Sequence, residues 1–316
     1  MKVVGLSFGR RMKNTEILVK KALLECERAG HEIEFIRVDE LDIRICTGCT
    51  ACVGGLVSGH GKGQCHIKDD FHILEEAVLS SDALIIGCPA YETSPTGRYK
   101  TVCDRFGPSH DVSFAKAAIE KGLAEGKRPD QLPDQRLLKN RVAGFISVGG
   151  AMTQNWLCFN LPIMYELTMS LGIDVIDKFE YFGAMAHEHV VAVEPMMERA
   201  TDMGKHIVQA LTAEEPDKRT QWRGTEQGVC PVCHLDMLQI THHMNQVMCP
   251  VCGIYGDLTV ENGHIHVKFT EEECRRSRLT FEGKVEHSTE IKMNAARPGQ
   301  IPDLKERLKI YQWSHN

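Results

Sequence analysis

The chain has 316 residues, of which 42% are hydrophobic and 25% charged, a composition typical of a globular protein with one full domain and a smaller appendage. Its 37 basic and 43 acidic side chains give a formal net charge of −6, which disfavours a protein that binds nucleic acid duplexes or a polybasic membrane protein. No apolar run approaches the roughly 20 residues that a membrane span needs, and the first residues resemble a strand rather than a secretory signal.

Hydrophobic periodicity predicts alternating strands and helices over residues 1–213. This alternation predicts a doubly wound α/β domain with a five-stranded parallel sheet, and the flavodoxin-like strand order 2-1-3-4-5 is the commonest one for this size. The predicted strands are Lys2–Ser7, His31–Val38, Ala83–Gly87, Arg141–Val148 and Ile173–Tyr181, and the predicted helices are Thr15–Ala29, Phe71–Ser80, Thr96–Phe106, Trp156–Leu171 and Met196–Leu211.

Two segments interrupt or follow this alternation. Residues 107–140 form an insertion with one predicted helix at Phe114–Leu123, and residues 214–228 form a charged, polar linker. Such an insertion at the carboxyl end of a strand either covers a ligand or makes a plain surface excursion.

The remainder divides into a small domain, residues 229–270, and a charged C-terminal extension, residues 271–316. In the small domain, Asn262-Gly263 predicts the turn of a hairpin between Asp257–Val260 and His264–Phe269. In the extension, Ile301–Trp313 is predicted to be a closing helix that packs on the body of the protein or on a second subunit.

Cysteine is the most informative residue type, because eight of the 13 cysteines form two groups of four. An odd count in a long chain without an export signal argues against a disulfide scaffold and favours a cytoplasmic protein. Groups of four cysteines then indicate metal or cluster ligation. The first group is Cys46, Cys49, Cys52 and Cys65, and the second is Cys230, Cys233, Cys249 and Cys252.

Three loops follow predicted strands at the carboxyl edge of the sheet, where doubly wound folds bind ligands. The first loop, after Ser7, carries a glycine, cations and hydroxyl side chains, and it leads into a helix N-terminus whose free amides suit a phosphate. It contains neither a Walker A sequence nor GxGxxG, which disfavours nucleoside triphosphates and Rossmann dinucleotides. The second loop is 87–97 and the third is 147–151.

The second loop, which reads Gly87-Cys88-Pro89-Ala90-Tyr91 and precedes a helix ending near Asp104-Arg105, resembles the corresponding loop of NADPH-dependent FMN reductases and iron–sulfur flavoproteins, a branch of the flavodoxin-like superfamily. The third loop, Ser147-Val148-Gly149-Gly150-Ala151, resembles that branch as well. Two departures are that Cys88 stands where a serine is usual and that the first loop is shorter and more basic than the common pattern.

The resemblance implies that the first loop binds the FMN phosphate and that the other two bind the isoalloxazine ring and the ribityl chain. Glycines permit close approach to a flat ring, and Tyr91 can lie against it. The cofactor-binding residues expected from this resemblance are Ser7, Arg10, Arg11, Lys13, Asn14, Thr15, Pro89, Ala90, Tyr91, Glu92, Thr93, Ser94, Gly97, Ser147, Val148, Gly149, Gly150 and Ala151.

The first cysteine group begins as C-x2-C-x2-C, an arrangement that lets one loop place three thiolates around a [4Fe-4S] cluster, with Cys65 as the candidate for the fourth ligand. Iron–sulfur flavoproteins carry four cysteines at this place and end the segment with a similar Cys-x-Ile-Lys-Asp-Asp stretch. The glycine-rich gap between Cys52 and Cys65 is longer than is usual there and is predicted to be flexible. His60 as a substitute ligand, an empty site, a reduced thiol cluster and a disulfide pair are the alternatives.

The second group consists of two Cys-Pro-Val-Cys turns with 15 residues between Cys233 and Cys249. Each turn directs two thiolates at one centre, and two turns complete a tetrahedron. The gap fits a zinc ribbon with a structural ion, whereas the Cys-Pro-x-Cys-Gly sequence resembles a rubredoxin knuckle that holds iron.

The resemblance implies an FMN-dependent oxidoreductase that passes electrons between a [4Fe-4S] cluster and FMN, with NAD(P)H or ferredoxin as the redox carrier and a small molecule or protein as the acceptor. The alternatives are a cluster-free NAD(P)H-dependent FMN or quinone reductase and a redox-sensing docking protein that uses the C-terminal ribbon. We expect no nucleic acid or membrane partner. A homo-oligomer is expected because the family often places FMN at a subunit boundary, and His187 and His189 are interpreted as loop residues rather than proton donors to the flavin.

Overall fold

A computed structural model describes residues 1–59, 61–187, 189–295 and 301–312. Five parallel strands have the order β2-β1-β3-β5-β6, and a short strand, β4, pairs with the end of β3, so the predicted flavodoxin-like order is confirmed. The strands are β1 (Lys2–Ser7), β2 (Glu32–Arg37), β3 (Ala83–Tyr91), β4 (Ser94–Pro95), β5 (Val142–Val148) and β6 (Asp174–Tyr181), and the helices of this part are α1 (Asn14–Arg28), α2 (Ala51–Ser58), α3 (Phe71–Ser80), α4 (Gly97–Phe106), α5 (Val112–Ala124), α6 (Asn160–Leu171) and α7 (Glu194–Thr212).

The sheet is buried on both faces because successive strand residues alternate between two cores. Leu84 and Ile86 of β3 belong to the core under α3, α4 and α6, whereas Ala83 and Ile85 belong to the core under α1 and α7. All four side chains have no exposed surface. A continuous apolar run is therefore the correct signal for this central parallel strand.

Two boundaries differ from the predictions by four residues because tertiary contacts set them. Helix α6 begins at Asn160 rather than at Trp156, and the Asn160 amide donates hydrogen bonds to the Cys88 carbonyl oxygen (3.1 Å) and to Ser147 Oγ (2.8 Å). Strand β3 extends beyond Gly87 to Tyr91 because its last two residues pair with β4.

The segment after Cys52, predicted to be flexible, instead begins as helix α2. Two glycines weaken this helix locally, but its Leu56 is buried, and Lys127 Nζ donates to the Gly59 carbonyl oxygen (2.9 Å) at its end. Packing on α5, which lies in the insertion, therefore stabilises a helix that propensity alone disfavours.

Beyond α7 the chain forms α8 (Pro216–Thr220) and a four-stranded antiparallel sheet in the order β10-β9-β8-β7. The predicted hairpin is confirmed, with positive φ at Asn262 (52°) and Gly263 (80°). Helix α10, which the sequence analysis missed, packs on α5. The sheet and the last helices are β7 (Gln239–Ile240), β8 (Gln246–Met248), β9 (Tyr255–Glu261), β10 (His264–Phe269), α9 (Glu271–Arg275), α10 (Phe281–Ala295) and α11 (Leu304–Leu308).

The predicted closing helix Ile301–Trp313 is largely wrong. The described part contains only the short α11 and one further turn at Lys309–Tyr311, and Trp313 lies outside the described residues. Among the described helices, none combines the length and the apolar character that a membrane crossing requires.

Candidate functional site

The first loop follows β1 and leads into α1. The residue before this helix, Lys13, makes no side-chain capping hydrogen bond, so it leaves the first-turn N–H groups to other acceptors. Arg10, Arg11 and Lys13 are exposed, whereas Ser7 is buried and accepts a hydrogen bond from the Gly9 N–H (3.3 Å). Free amide donors at a helix N-terminus and nearby cations together favour a bound phosphate.

The segment after β6 fixes this first loop. His189 Nε2 lies 2.8 Å from the Met12 carbonyl oxygen, and the Asn14 side-chain oxygen accepts a hydrogen bond from the Val190 N–H (3.0 Å). Thr15 is buried beneath Gly9, where any added Cβ would lie 2.7 Å from Thr15 Cβ. The contact of His189 supports its interpretation as a loop residue that shapes the site.

The second loop is a hairpin between β3 and β4. Its turn residues Glu92 and Thr93 both have positive φ (49° and 73°), which is the conformation of a type I′ turn. The turn leaves Tyr91 with 53% of its surface exposed, whereas Pro89 is buried within the strand. Gly97 then begins α4, so this loop places one aromatic ring at the edge of the sheet beside a second helix N-terminus.

The third loop leaves β5 after Val148 and joins the segment that follows β6. The Gly149 N–H donates to the Tyr181 carbonyl oxygen (2.8 Å), and the Met185 N–H donates to the Gly150 carbonyl oxygen (3.3 Å). A Cβ on Gly150 would lie 2.7 Å from Met185 Cγ. A larger residue at position 150 would therefore displace the exposed side chain of Met185.

Several large apolar side chains are exposed in the loops at this edge of the sheet. Protein surfaces rarely carry extended apolar patches unless the patch binds a ligand or a partner. Backbone hydrogen bonds connect these loops, from the Phe159 N–H to Thr93 (3.2 Å) and from the Gly183 N–H to Ala151 (2.5 Å). We call this set the apolar ledge: Met12, Tyr91, Met152, Trp156, Phe159, Phe182 and Met185.

Only Tyr91 of the apolar ledge was singled out by the sequence analysis. Met152, Phe182 and Met185 could have been found because they directly follow predicted strands. Trp156 was hidden because the periodicity places it in a helix, whereas it lies in a turn before α6 and is 56% exposed.

The chemistry of this edge fits FMN. The phosphate of FMN is anionic and its isoalloxazine ring is flat and largely apolar, so a matching site needs cations and amides at one end and apolar surface at the other. Arg10, Arg11, Lys13 and the start of α1 supply the first end, and the apolar ledge supplies the second.

A polar network lies beside the third loop, and its members Ser147 and Asn160 are buried. Ser147 Oγ accepts from the Asn160 amide (2.8 Å) and donates to Glu180 (3.2 Å), whose carboxylate also accepts from the Gln154 amide (2.8 Å). Burial raises the pKa of Glu180, and its hydrogen bonds oppose that shift. The network ties β5, β6 and α6 to the loop, and the sequence analysis identified only Ser147 among its members.

The four C-terminal thiols converge on one point, as predicted. Their ligand atoms all lie within 4.8 Å of one another, with Cys230 Sγ 3.7 Å from Cys252 Sγ and Cys233 Sγ 3.5 Å from Cys249 Sγ. Thiolates bound at about 2.3 Å in a tetrahedron lie about 3.8 Å apart. These spacings, and the nearly complete burial of all four side chains, fit a single tetrahedral ion.

Both turns of this C-terminal group have the same local geometry. The His234 N–H donates to the Cys230 carbonyl oxygen (2.9 Å), and the Gly253 N–H donates to the Cys249 carbonyl oxygen (2.8 Å). His234 and Gly253 have positive φ (57° and 72°), which turns the chain back after each pair of thiols. The hydroxyl of Tyr165 on α6 donates to the Cys233 carbonyl oxygen (2.5 Å) and so ties the group to the larger domain.

Hydrogen bonds between neighbouring thiols polarise this C-terminal group. They hold the pKa of Cys249 well below its ordinary value and the pKa of Cys233 well above it. The reason is that neighbouring sulfur atoms share protons, so one thiol loses its proton readily while another keeps it. A metal ion replaces such shared protons when thiolates bind it.

The first cysteine group has different surroundings. Cys46 and Cys49 are exposed, and Cys52 and Cys65 are half-buried. Within the described ranges, no three of these thiols lie as close together as the four C-terminal ones. The nearest side-chain contact of Cys49 is with His66 Nδ1, at 3.8 Å, and His60 lies outside the described residues.

A buried ion pair holds both ends of this cysteine loop. Arg105 and Asp69 are each 1% exposed at the side chain and lie 2.5 Å apart. Asp69 also accepts from the Arg44 N–H (2.9 Å), and Arg105 donates to the Arg44 carbonyl oxygen (2.9 Å). Burial alone would raise the pKa of Asp69, but hydrogen bonds from Arg105 and from the backbone of Arg44 and Phe71 lower it to about 2.

Comparison with known proteins gives one relative of similar length and several shorter matches. A flavone synthase of Aspergillus candidus is 28% identical over 99% of this chain and 96% of its own length. A solved structure of a flavone reductase superposes with a TM-score of 0.81 at 26% identity, covering 98% of this chain and 96% of that one.

An iron–sulfur flavoprotein of Archaeoglobus fulgidus is 36% identical over 34% of this chain and 46% of its own length, so this chain spans about half of that relative. The family model described as NADPH-dependent FMN reductase matches residues 1–161, which is half of the chain and includes all three loops. The chain belongs to the NADPH-dependent FMN reductase family and is an FMN-dependent oxidoreductase.

Proposed function

We propose that this oxidoreductase transfers a hydride, by way of FMN, between NAD(P)H and a flat conjugated molecule of the flavone class. The observation that carries the proposal is the apolar ledge, an exposed aromatic and thioether surface beside the three loops. A flavone is a flat aromatic enone that buries its faces well between a flavin and aromatic side chains. The relatives named for flavone chemistry match nearly the whole chain and support this substrate class.

Within this proposal the three loops divide the cofactor between them. The first loop, with exposed cations beside the start of α1, would bind the phosphate. The backbone of the second and third loops would border the ribityl chain and the ring. The residues assigned in this way are Ser7, Arg10, Arg11, Lys13, Asn14, Thr15, Pro89–Ser94, Gly97 and Ser147–Ala151.

Bound FMN supplies a carrier that accepts two electrons from a nicotinamide and donates them to an acceptor. The contribution of this chain is placement, because Tyr91 and Trp156 can hold a flat substrate while Met152 and Met185 exclude water. Overall, the carbon–carbon double bond beside the carbonyl takes up one hydride and one proton and becomes a single bond. NAD(P)H becomes NAD(P)⁺ in the same reaction.

The test is anaerobic NAD(P)H oxidation by the FMN-loaded protein, with flavone as the acceptor. We expect flavone-dependent turnover and a flavanone product. Trp156→Ala should raise the KM for flavone about ten-fold, since it removes a stacking surface of roughly 1–1.5 kcal/mol. The control is Tyr311→Ala, which removes an exposed aromatic ring far along the chain. The absence of flavone-dependent turnover would reject this substrate class, and equal KM values in the two variants would reject Trp156 as a surface that binds the substrate.

A second candidate function is electron transfer through a [4Fe-4S] cluster, with ferredoxin as donor. It is favoured by the C-x2-C-x2-C loop, in which Cys46 and Cys49 are exposed, and by the similarity of about a third of the chain to an iron–sulfur flavoprotein. Under this alternative, Cys46, Cys49, Cys52 and Cys65 are the ligands, and the cluster itself gathers them. Iron and acid-labile sulfide measured after anaerobic purification decide the matter. Their presence with loss in Cys49→Ser supports the cluster, and their absence rejects it without affecting the flavone assay.

For the C-terminal group we propose a structural zinc ion, with rubredoxin-type iron as the alternative. The burial of all four thiols and the bond from Tyr165 to Cys233 support a structural role, because the ion would fix this small domain on α6. Elemental analysis of protein purified from medium with both metals separates the two ions. An iron-loaded protein with a rubredoxin-type visible spectrum would overturn the zinc assignment.

We also propose that two copies of the chain cover part of the apolar ledge. Exposed Phe182 and Met185 support this idea, because water would otherwise contact them. Light scattering should give a dimer for the FMN-loaded protein and a monomer for Phe182→Asp. A monomer in both cases rejects the proposal.

A further inference from the structure

A large cavity lies at the amino-terminal edge of the sheet, opposite the three loops. Its volume is about 980 Å³. Its walls come from the starts of β5 and β6, the linker residue Trp222, the first C-terminal cysteine turn at Val232 and the C-terminal extension at Phe281. We call it the basal cavity. It lies where the α/β domain, the linker, the small domain and the C-terminal extension meet.

The charges that line the basal cavity are unbalanced. Four cationic side chains line it, namely Lys116, Lys139, Arg275 and Lys284, and the single carboxylate is Asp174. Lys139 is paired with Asp82 (2.8 Å) and Lys116 is loosely paired with Glu120 (4.0 Å). Arg275 and Lys284 make no side-chain ion pair among the described residues, so the cavity carries excess positive charge.

Lys284 is the most informative of these cations because it is only 4% exposed. Its ammonium donates a hydrogen bond to the Arg278 carbonyl oxygen (2.8 Å), although an ammonium group can donate three. Burial lowers the pKa of Lys284 to about 8, and the carboxylates of Asp111 and Asp174 oppose that shift. Neither carboxylate forms a direct ion pair with Lys284 among the described residues, so an anion bound in the cavity would offset more of the cost of burying this cation.

The remaining wall is apolar and aromatic. The lining includes the ring of Phe281, which is 42% exposed, and aliphatic side chains such as Leu138 and Leu279. Tyr165 also borders the cavity, but it is only 1% exposed and its hydroxyl is bonded to Cys233. A complementary ligand therefore needs one anionic group and a flat apolar body.

We propose that the basal cavity binds a small aromatic carboxylate, with its carboxylate on Lys284 and its ring against Phe281. This site is separate from the flavin site and does not depend on the substrate proposed above. Because its walls come from three parts of the chain, a bound ligand would hold them together. It should therefore raise the melting temperature of the protein.

The test uses the full-length protein loaded with FMN and metal, and 2-naphthoate as the probe. Calorimetry should detect one binding site that remains when FMN is saturating. Lys284→Met keeps the straight side chain and removes the charge, so it should weaken binding at least about ten-fold, the effect of losing a charge-assisted hydrogen bond. The matched control is Lys292→Met, an exposed lysine on the same helix, which should bind as the unmodified protein does.

A second measurement keeps the proposal testable if Lys284→Met does not fold. The neutral analogue 2-naphthamide has the same ring system without the negative charge, so it should bind the unmodified protein at least about ten-fold more weakly than 2-naphthoate. Equal affinity for the two probes, an unchanged affinity in a folded Lys284→Met, competition with FMN, or no binding would each overturn the proposal.

Discussion

The two four-cysteine groups of this chain offer the same number of thiols in opposite surroundings. The C-terminal group brings four buried sulfur atoms together, with Cys230 Sγ 3.7 Å from Cys252 Sγ and Cys233 Sγ 3.5 Å from Cys249 Sγ. In the first group, Cys46 and Cys49 are exposed, and no comparable convergence is present in the described ranges. The two groups therefore differ in how far the protein itself preorganises its ligands.

The difference follows from how each group is built. Each C-terminal turn fixes two thiols within four residues, by a backbone hydrogen bond and a residue with positive φ, so only one long-range contact is needed. In the first group, Cys65 is separated from Cys52 by α2 and a glycine-rich stretch. The protein fixes the ends of that loop through Asp69 and Arg105 but leaves its thiols apart. A bound cluster would therefore have to bring these four thiols together.

The largest expected effect comes from breaking the preorganised group. Cys233→Ser should abolish stoichiometric metal binding and greatly destabilise the protein, because metal binding to buried thiolates contributes directly to folding, on the order of 10 kcal/mol in zinc-finger peptides. Elemental analysis and thermal unfolding measure both effects. Cys274→Ser is the control, since Cys274 packs near the group without belonging to it. Full metal content in Cys233→Ser would show that the four thiols are not the site.

The next largest effect is expected from the buried ion pair that holds the ends of the first cysteine loop. Arg105→Met should lower the free energy of unfolding by about 3–5 kcal/mol, because it leaves the Asp69 carboxylate buried without its partner. Arg136→Met is the matched control, since its pairs with Glu76 and Asp134 are exposed and should be worth about 0–1 kcal/mol. Denaturant titration compares the two variants. Equal losses would mean that the buried pair does not hold the loop.

The same ion pair predicts that the free energy of unfolding falls at acidic pH. The pKa of Asp69 is about 2 in the folded protein, below the value of about 3.9 expected in the unfolded chain. The stabilisation is therefore complete above about pH 5 and is lost as the pH falls through about 2, with a size of about 2.5 kcal/mol. Hydrogen bonds from Arg37 and Lys20 also lower the pKa of Glu16 to about 2, so this residue contributes to the same loss of stability at acidic pH. Denaturant titrations of Asp69→Asn should show a shallower decline, and an identical decline would contradict the assignment.

The smallest effect on stability is expected within the first group itself. Cys49→Ser should change the free energy of unfolding by less than about 0.5 kcal/mol, because Cys49 is exposed and makes few contacts. Denaturant titration under reducing conditions measures this change, with Cys26→Ser as the buried comparison. A loss of several kcal/mol in Cys49→Ser would show that this loop is as organised as the C-terminal group.

The sequence analysis predicted the sheet order, most helices and the convergence of the C-terminal thiols because each depends on a local pattern. Strand periodicity marks β1 and β3, and paired Cys-Pro-Val-Cys turns mark the metal site. It missed features that depend on tertiary contacts. The start of α6 is set by the bonds of Asn160, and α2 depends on packing against α5.

The candidate site also has parts that the sequence indicates and parts that only the folded chain brings together. The three loops are visible in the sequence because they follow strands, and Tyr91 is visible because of its motif. The remainder of the apolar ledge comes from separate loops that meet only in the folded chain, so no single stretch identifies it. The basal cavity is even harder to predict from the sequence, because Lys284 lies in a charged extension that contains no recognisable motif.

The measurement that most directly tests the account is a single-turnover reaction of the reduced enzyme with flavone in the absence of oxygen. Protein loaded with FMN is first reduced with one equivalent of NADPH and then mixed with flavone. We predict that the absorbance of oxidised flavin returns as flavanone appears in equal amount, and that Trp156→Ala slows this return at subsaturating flavone. A flavin that stays reduced in the presence of flavone, yet is oxidised rapidly by a quinone, would contradict the account.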